Sequence, residues 1–293
     1  MILQIILLPL VIIFIILLIC KKIKNPEKYI STEPLQDIPK VINKIIIIDS
    51  GELPKMPLSP SELQDAHDSW RENNPEYKIV YWSLNDCRKY LIENFDIEYI
   101  ETFDKLKANA FKCDFFRLVL INNEGGWYSD WKQLCLKNNL LNLLNENKKT
   151  NSVFYKDAYI GTLLLFKEMF YNRSFLIQNA FFGSVKNNIF LTNCIRKIIH
   201  IVKNESYEKT VLHITGPALL GNVYSKLKTS NNFIYGNVIL KINKNNLKGV
   251  NSIFKDNNLG KIIQHKCDNC SLTQSWTNGN NYVSMYFKKQ IYN

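Results

Sequence analysis

The 293-residue sequence lacks the short motifs that mark several large enzyme classes. It has no GxSxG elbow, no Walker phosphate loop and no glycine-rich dinucleotide fingerprint, so nothing supports a serine hydrolase, a nucleoside triphosphatase or a dehydrogenase. Its basic residues form no arginine stripe interleaved with aromatic residues, so no nucleic-acid partner is predicted. Apolar residues make up 46% and charged residues 22%, which is the balance of a packed domain.

Positive charge is in excess, with 37 Lys and Arg against 26 Asp and Glu, a net charge of +11. This balance favours anionic partners in general and names no particular one. The seven cysteines form no regular disulfide framework. Cys267 and Cys270, with His265 nearby, offer three soft ligands where structural zinc takes four, so a local disulfide or two free thiols are favoured over a zinc site.

Residues 2–20 carry no charged side chain and end at Lys21, Lys22 and Lys24. An apolar helix of about 20 residues spans a bilayer core of about 30 Å. A cleaved signal peptide is the alternative, but a charged amino-terminal region and a small-residue cleavage site are missing. We therefore expect a membrane anchor over residues 1–24 and a linker over 25–37. The three lysines favour a cytosolic body.

Strand and helix patterns alternate after the linker. The apolar run 41–48 predicts a buried strand, and a capping box at residues 59–62 predicts a helix to about Arg71. Residues 77–82 then indicate a second strand, and a further helix follows over 85–91. This alternation is typical of an α/β fold.

A long helix is predicted over residues 105–124, apolar around most of its circumference and therefore buried. Asp114 and Arg117 lie three residues apart inside it, where they can form an ion pair. Gly125 and Gly126 end the helix. From the spacing alone, the pair is either a core ion pair or part of a ligand site.

A short strand, Trp127 to Ser129, leads directly to Asp130. In α/β sheets, ligands bind outside the carboxyl ends of the strands. Taken alone, Asp130 is either a binding-site carboxylate or a solvated turn residue.

The segment from Ala110 to Lys132 resembles the "SDxxRxxxLxxxGGxYxDxD" core of the DXD glycosyltransferases. Those with this spacing include yeast-type initiating α-1,6-mannosyltransferases and inositol phosphoceramide mannosyltransferases. The run IPKVIN at 38–43 is similar to the family's "IPKIIHQ", and the run at 69–77 is similar to its "SWxxxNPxY". The likeness continues in order to Trp276.

This resemblance implies a glycosyltransferase domain over residues 38–293 with a GT-A (Rossmann-like) fold, a mainly parallel sheet flanked by helices. It implies transfer of a hexose such as mannose, with retention of configuration, from a UDP- or GDP-sugar to a glycan, glycolipid or glycoprotein. It also implies a single-pass membrane protein of the Golgi or endoplasmic reticulum, in which the body is lumenal, opposite to what the lysines favour.

The resemblance also implies roles for individual residues. It gives Asp130 and Lys132 catalytic positions, and makes Asp130 a metal ligand if a metal is used. The residues implied to bind the nucleotide sugar are Asp114, Arg117, Gly126 and Tyr128. Those implied to bind substrate or close the site are Asn179, Gly216, Ser275 and Trp276.

The sequence departs from the family pattern at four places. The family's His-rich stretch before Ser275 and Trp276 is reduced to His265, followed by an insertion through Thr273. Asn43-Lys44 stands where the family has His-Gln, and Ile46 stands where it has Trp. Lys132 replaces the second DXD aspartate, a change that should weaken Mg²⁺ or Mn²⁺ binding. One hypothesis is that Lys132 supplies the positive charge itself, without a metal. The other is that the site is inactive and the domain binds sugar nucleotides or glycans as a scaffold.

Overall fold

The computed structural model describes residues 34–58, 61–157, 175–227, 233–242, 250–265 and 280–293. The predicted anchor, Cys267, Cys270, Ser275 and Trp276 lie outside these residues. Within the described part, no helix is long and apolar enough to cross a bilayer. Apart from Leu227, the described residues belong to one compact unit formed by Pro34–Lys226 and Phe233–Asn293.

Strands and helices alternate through the first half of the chain, as the sequence predicts. The strands are β1 (Val41–Ile45), β2 (Lys78–Trp82), β3 (Gly126–Ser129), β4 (Leu134–Cys135), β5 (Ser152–Lys156), β6 (Ile177–Ser184), β7 (Ile234–Ile242), β8 (Val250–Asp256) and β9 (Gly260–Gln264). The helices are α1 (Ser61–Asn73), α2 (Leu84–Asn94), α3 (Ile97–Lys105), α4 (Asn109–Glu124), α5 (Leu140–Asn147), α6 (Ile189–Lys203), α7 (Pro217–Lys226) and α8 (Tyr282–Phe287), with a 3₁₀ turn at Val211–His213.

The strands of the described residues form one sheet in the order β2-β1-β3-β6-β5-β7-β8-β9-β4. Three neighbouring pairs are parallel: β1 with β2, β1 with β3, and β5 with β7. The other pairs are antiparallel. The predicted α/β class is therefore correct, but the expectation of a mainly parallel sheet is wrong. Strands β7, β8 and β9 follow one another through short connections, and such connections allow only antiparallel pairing.

The sheet is curled. Strand β4 begins at Leu134, only five residues after β3 ends at Ser129, yet it pairs with β9 at the far edge. Six strand spacings separate β3 from β4, which is about 29 Å in a flat sheet. Five residues of extended chain span at most about 17 Å. The sheet must therefore curve until residues 130–133 can bridge the gap.

The predicted long helix begins four residues later than expected. Helix α3 ends at Lys105 and α4 begins at Asn109. Between them, Leu106 forms a β-bridge with Tyr292, and the Lys107 amide donates to the Ile291 carbonyl at 2.8 Å. The backbone groups of Leu106 and Lys107 therefore pair with the carboxyl-terminal tail and do not continue a helix.

Helix α4 is the buried helix that the apolar pattern predicts. It contacts β3, β6 and α6, and Gly125 ends it with a positive φ of 73°. Helix α1 lies on the other face, where Trp70 contacts Phe181 at a ring distance of 5.7 Å. The next residue of β6, Phe182, contacts Tyr128 on the α4 side. The sheet is therefore covered by helices on both faces.

Candidate active site

Two carboxylates and a guanidinium meet where β3 ends beside α4. The Nη2 atom of Arg117 lies 3.3 Å from Oδ1 of Asp114, and its Nη1 atom lies 3.3 Å from Oδ1 of Asp130. The arginine side chain is 7% exposed, whereas the carboxylates are 17% and 28% exposed. A buried, permanently charged group therefore holds two partly exposed acids side by side.

The guanidinium of Arg117 is fixed by more than its two acids. Its Nε donates to the Cys113 carbonyl at 3.1 Å, and its Nη1 donates to the Asn179 carbonyl at 2.9 Å. Its central carbon lies 4.3 Å from the centroid of the Tyr128 ring. Because these contacts leave the planar guanidinium little freedom to rotate, its positive charge is preorganised between the two carboxylates.

Asp114 accepts hydrogen bonds from two elements beyond α4. Nδ2 of Asn179 on β6 donates to its Oδ1 at 2.9 Å, and the Thr215 hydroxyl donates to its Oδ2 at 2.9 Å. A Cβ added at Gly216 would lie 3.8 Å from the same Oδ2, so this glycine borders the carboxylate. Burial raises the pKa of Asp114 to about 6, although Arg117 and these donors favour the ionised form.

Asp130 follows β3 directly, at the edge where the parallel strands β1, β2 and β3 end. The Tyr128 hydroxyl donates to its Oδ1 at 2.5 Å. Its backbone amide donates to the Ala180 carbonyl at 2.9 Å, and its carbonyl accepts from the Gln133 amide at 3.1 Å. The strand position and the turn together direct this carboxylate towards α4.

Lys44 is a buried cation that approaches Asp130 from the other face of the sheet. Its side chain is fully buried, with Nζ 4.8 Å from the Trp70 ring centroid. The ammonium donates to the Ser129 hydroxyl at 3.1 Å and to the Asp130 carbonyl at 3.4 Å. Burial lowers the pKa of Lys44 to about 7, and the charge of Asp130 opposes that shift.

Sequence reasoning noted Lys44 only as a departure from the family pattern. The available signal was a lysine inside the apolar run VINKIIII, a strand predicted to be buried. A charge in such a run needs a specific partner. The structure supplies one at the turn that carries Asp130.

The structure brings some of the predicted site residues together and leaves others apart. Those that meet around Arg117 are Asp114, Tyr128, Asp130, Asn179 and Gly216. Gly126 begins β3, about 13 Å along the strand from Asp130. A Cβ there would lie 3.0 Å from the Val41 carbonyl, so this glycine serves packing between strands.

Lys132 lies two residues after Asp130 in the same turn and is half-buried. Its Nζ is 5.0 Å from the centroid of the Trp131 ring. It therefore stays next to the site, as its position in the sequence requires.

The residues around Asp130 do not fit a divalent metal. Its Oδ1 already has the Tyr128 hydroxyl and Arg117 as partners. A lysine stands where a second carboxylate would be needed, and Mg²⁺ and Mn²⁺ require oxygen ligands. Across the described ranges, no cluster of three or more His, Cys, Asp or Glu side chains has metal-binding geometry.

Comparisons with known proteins point to one class of enzyme. Residues 60–153 match the model of a family described as the glycosyltransferase sugar-binding region containing the DXD motif. This range contains Asp114, Arg117 and Asp130. An uncharacterized glycosyltransferase of Acanthamoeba polyphaga mimivirus is 35% identical over 101 residues, which cover 34% of this chain and 38% of that relative. These matches support the predicted glycosyltransferase enzyme, while this chain spans well under half of the relative's length.

Two solved structures also show a likeness. The PaToxG glycosyltransferase aligns with 66% of this chain and 72% of its own, at 18% identity and a TM-score of 0.42. The ligand-free glycosyltransferase domain from the YGT toxin aligns with 57% of this chain and 63% of its own, at 13% identity and a TM-score of 0.31.

Proposed function

We propose that this protein transfers a hexose, such as mannose, from a UDP- or GDP-sugar to a glycan, glycolipid or glycoprotein, with retention of configuration. The observation that carries the proposal is the cluster of Asp114, Arg117 and Asp130 at the carboxyl edge of β3. The match of residues 60–153 to a DXD glycosyltransferase region supports the same assignment.

The two acids act together in donor binding. The partly exposed oxygens of Asp114 and Asp130 accept hydrogen bonds from hydroxyl groups of the donor. Charge-assisted hydrogen bonds of this kind are about twice as strong as neutral ones. Arg117 is too buried to leave its partners, so it holds the two carboxylates at a fixed separation. Preorganisation of this kind lowers the cost of orienting the sugar.

Lys132 takes the place of the second DXD carboxylate and stabilises the diphosphate as it departs. A positive charge at the leaving group is commonly among the largest contributions to such a reaction. Because the described residues do not fit a metal site, this assignment makes transfer independent of Mg²⁺ and Mn²⁺.

The test is to incubate the full chain with a panel of UDP- and GDP-sugars and measure nucleotide release with and without EDTA. We expect release that is insensitive to EDTA and is lost in Asp130→Asn and Lys132→Ala. Lys89→Ala is the matched control, because that lysine is 74% exposed on α2. Release that requires Mn²⁺ would contradict the role given to Lys132.

The lysine at position 132 also favours a second candidate, a relative without turnover that binds sugar nucleotides or glycans as a scaffold. The two functions separate by experiment. Binding of a nucleotide sugar raises the melting temperature in both, but nucleotide release occurs only in the enzyme. If neither a nucleotide sugar nor a glycan changes the melting temperature, neither function holds.

The proposed acceptor and location follow from the predicted anchor over residues 1–24. A single-pass protein of the Golgi or endoplasmic reticulum would meet glycolipid and glycoprotein acceptors at the membrane. Asn204 begins a glycosylation sequon, Asn-Glu-Ser, and is exposed at the end of α6. Its glycosylation in cells would place the body in the lumen, and an unmodified Asn204 in a fully expressed chain would argue for the cytosol.

A further inference from the structure

A cavity of about 460 Å³ lies on the α1 side of the sheet. It is formed by β2, by α1 and by the loop that follows β1. The residues that line it are Ile46, Leu53, Pro54, Met56, His67, Arg71, Tyr77, Ile79 and Tyr81. Arg117 and its two acids lie on the other face, so this cavity is separate from the candidate active site.

The polar end of the cavity is organised by His67. Nη2 of Arg71 lies 2.7 Å from Nε2 of His67, and the Tyr81 hydroxyl contacts Nδ1. A guanidinium can only donate, so Nε2 must accept. The neutral ring then carries its proton on Nδ1 and donates it to the Tyr81 oxygen. Burial, followed by the charge of Arg71, lowers the pKa of His67, in agreement with a neutral ring.

With the hydrogen bonds arranged in this way, one hydrogen-bond donor remains available to a ligand. Because the Tyr81 oxygen accepts from His67, its own hydroxyl proton is available to an acceptor in the cavity. Arg71 is 65% exposed, and its guanidinium has more N–H groups than its contacts with His67 and Asp68 use. The Tyr77 hydroxyl, by contrast, donates to Asn142 at 3.0 Å.

The charge of the cavity lining has one sign. Arg71 is its one permanently charged residue, and no carboxylate is among the lining residues of the described chain. An oxyanion accepts from both the Tyr81 hydroxyl and the guanidinium. The carboxylate of Asp68, which lies 3.3 Å from Arg71, is not among the residues that line the cavity.

The rest of the cavity is apolar. Leu53 and Met56 at its rim are 39% and 49% exposed, and both count among the exposed large hydrophobic side chains of the described residues. Ile46 and Ile79 continue the apolar wall inward. Covering such side chains is favourable by about 25 cal/mol per Å² of apolar surface. The body of a ligand that fits here is therefore apolar.

We propose that this cavity binds a small amphiphilic anion, whose oxyanion head group contacts Tyr81 and Arg71 and whose aromatic or aliphatic body covers Leu53 and Met56. The site lies at the same sheet edge as Asp130. Tyr81 pairs with Lys44 in the register of β1 and β2, and Lys44 contacts Ser129. Two strand spacings, about 10 Å, thus separate the cavity from β3. The inference does not depend on the proposed transfer activity.

The experiment is a calorimetric titration of the full chain with 1-naphthyl phosphate, compared with 1-naphthol and with inorganic phosphate. We expect saturable binding of one naphthyl phosphate per chain, at least tenfold tighter than either partial ligand. Tyr81→Phe should weaken binding about tenfold, because it removes the donated hydrogen bond and keeps the ring. Leu53→Trp, which fills the mouth of the cavity, should abolish it.

Ile92→Trp is the matched control for Leu53→Trp, because Ile92 is 54% exposed on α2, away from the cavity. Binding in this variant should equal that of the original protein. The proposal is overturned if naphthyl phosphate does not bind, or if Leu53→Trp binds it as well as the Ile92 control does. Melting curves of both tryptophan variants establish that each is folded, so a loss seen only at Leu53 reports on the cavity.

Discussion

Replacing Lys44 by methionine should change how the free energy of unfolding depends on pH. In the folded protein, burial lowers the pKa of Lys44 from 10.5 to about 7. Between these values the unfolded chain holds a proton that the folded chain has released. Stability therefore rises with pH across this window. Well below pH 7 both states are protonated, so Lys44 adds no pH dependence there.

The magnitude follows from the proton count. One proton of difference changes the free energy of unfolding by about 1.4 kcal/mol per pH unit. Between pH 7 and 9, the stability of the original protein relative to Lys44→Met should therefore increase by about 2 kcal/mol. Methionine is a suitable replacement because it fills a similar buried space without a charge.

Urea unfolding at several pH values, followed by tryptophan fluorescence, measures this difference. Trp70 is a natural reporter, since its ring lies 4.8 Å from the ammonium. Lys89→Met is the control: its side chain is 74% exposed, so its curve should run parallel to that of the original protein. If the Lys44→Met curve also runs parallel from pH 7 to 9, the reasoning about the buried ammonium is refuted.

Three further substitutions test the site and its surroundings. Nucleotide release should fall as the pH drops through about 6, because Asp114 becomes protonated there, and a pH profile of Asp114→Asn should lack this step; a step retained in that variant would assign it to another group. Tyr128→Phe loses the hydroxyl that donates to Asp130 at 2.5 Å, so calorimetry should show nucleotide-sugar binding weakened about tenfold; unchanged affinity would remove Tyr128 from the site. Gly221→Ala would place a Cβ 1.3 Å from the Phe175 carbonyl oxygen, so urea unfolding should show a loss of about 1–3 kcal/mol; an unchanged midpoint would contradict this packing.

Local elements of the fold could be predicted from the sequence because their causes are local. The apolar pattern around Phe116 predicts the buried helix α4, and the structure confirms it, with Gly125 at its end. The break between α3 and α4 could not be predicted in this way. The sequence there favours helix, and its interruption depends on Ile291 and Tyr292 at the far end of the chain.

The same distinction applies to the candidate site. Asp114 and Arg117 lie on one turn of one helix, so their pairing follows from spacing, and the structure shows it. The approach of Lys44 to the Asp130 turn depends on the register between β1 and β3, which no local pattern specifies. His67 offers a similar case. No sequence pattern singles it out, and its link between Arg71 and Tyr81 appears only once α1 packs on β2.

The closure of the sheet has a consequence for the order of assembly during synthesis. Strand β4 must wait for β9, whose residues leave the ribosome some 130 positions later, as the pairing of Leu134 with Gln264 shows. Contacts so distant along the chain form late, because they carry the largest loop-closure cost. The Asp130 turn is anchored at both ends only at that stage, so in a nascent chain that has not reached residue 264 it is fixed on the β3 side alone.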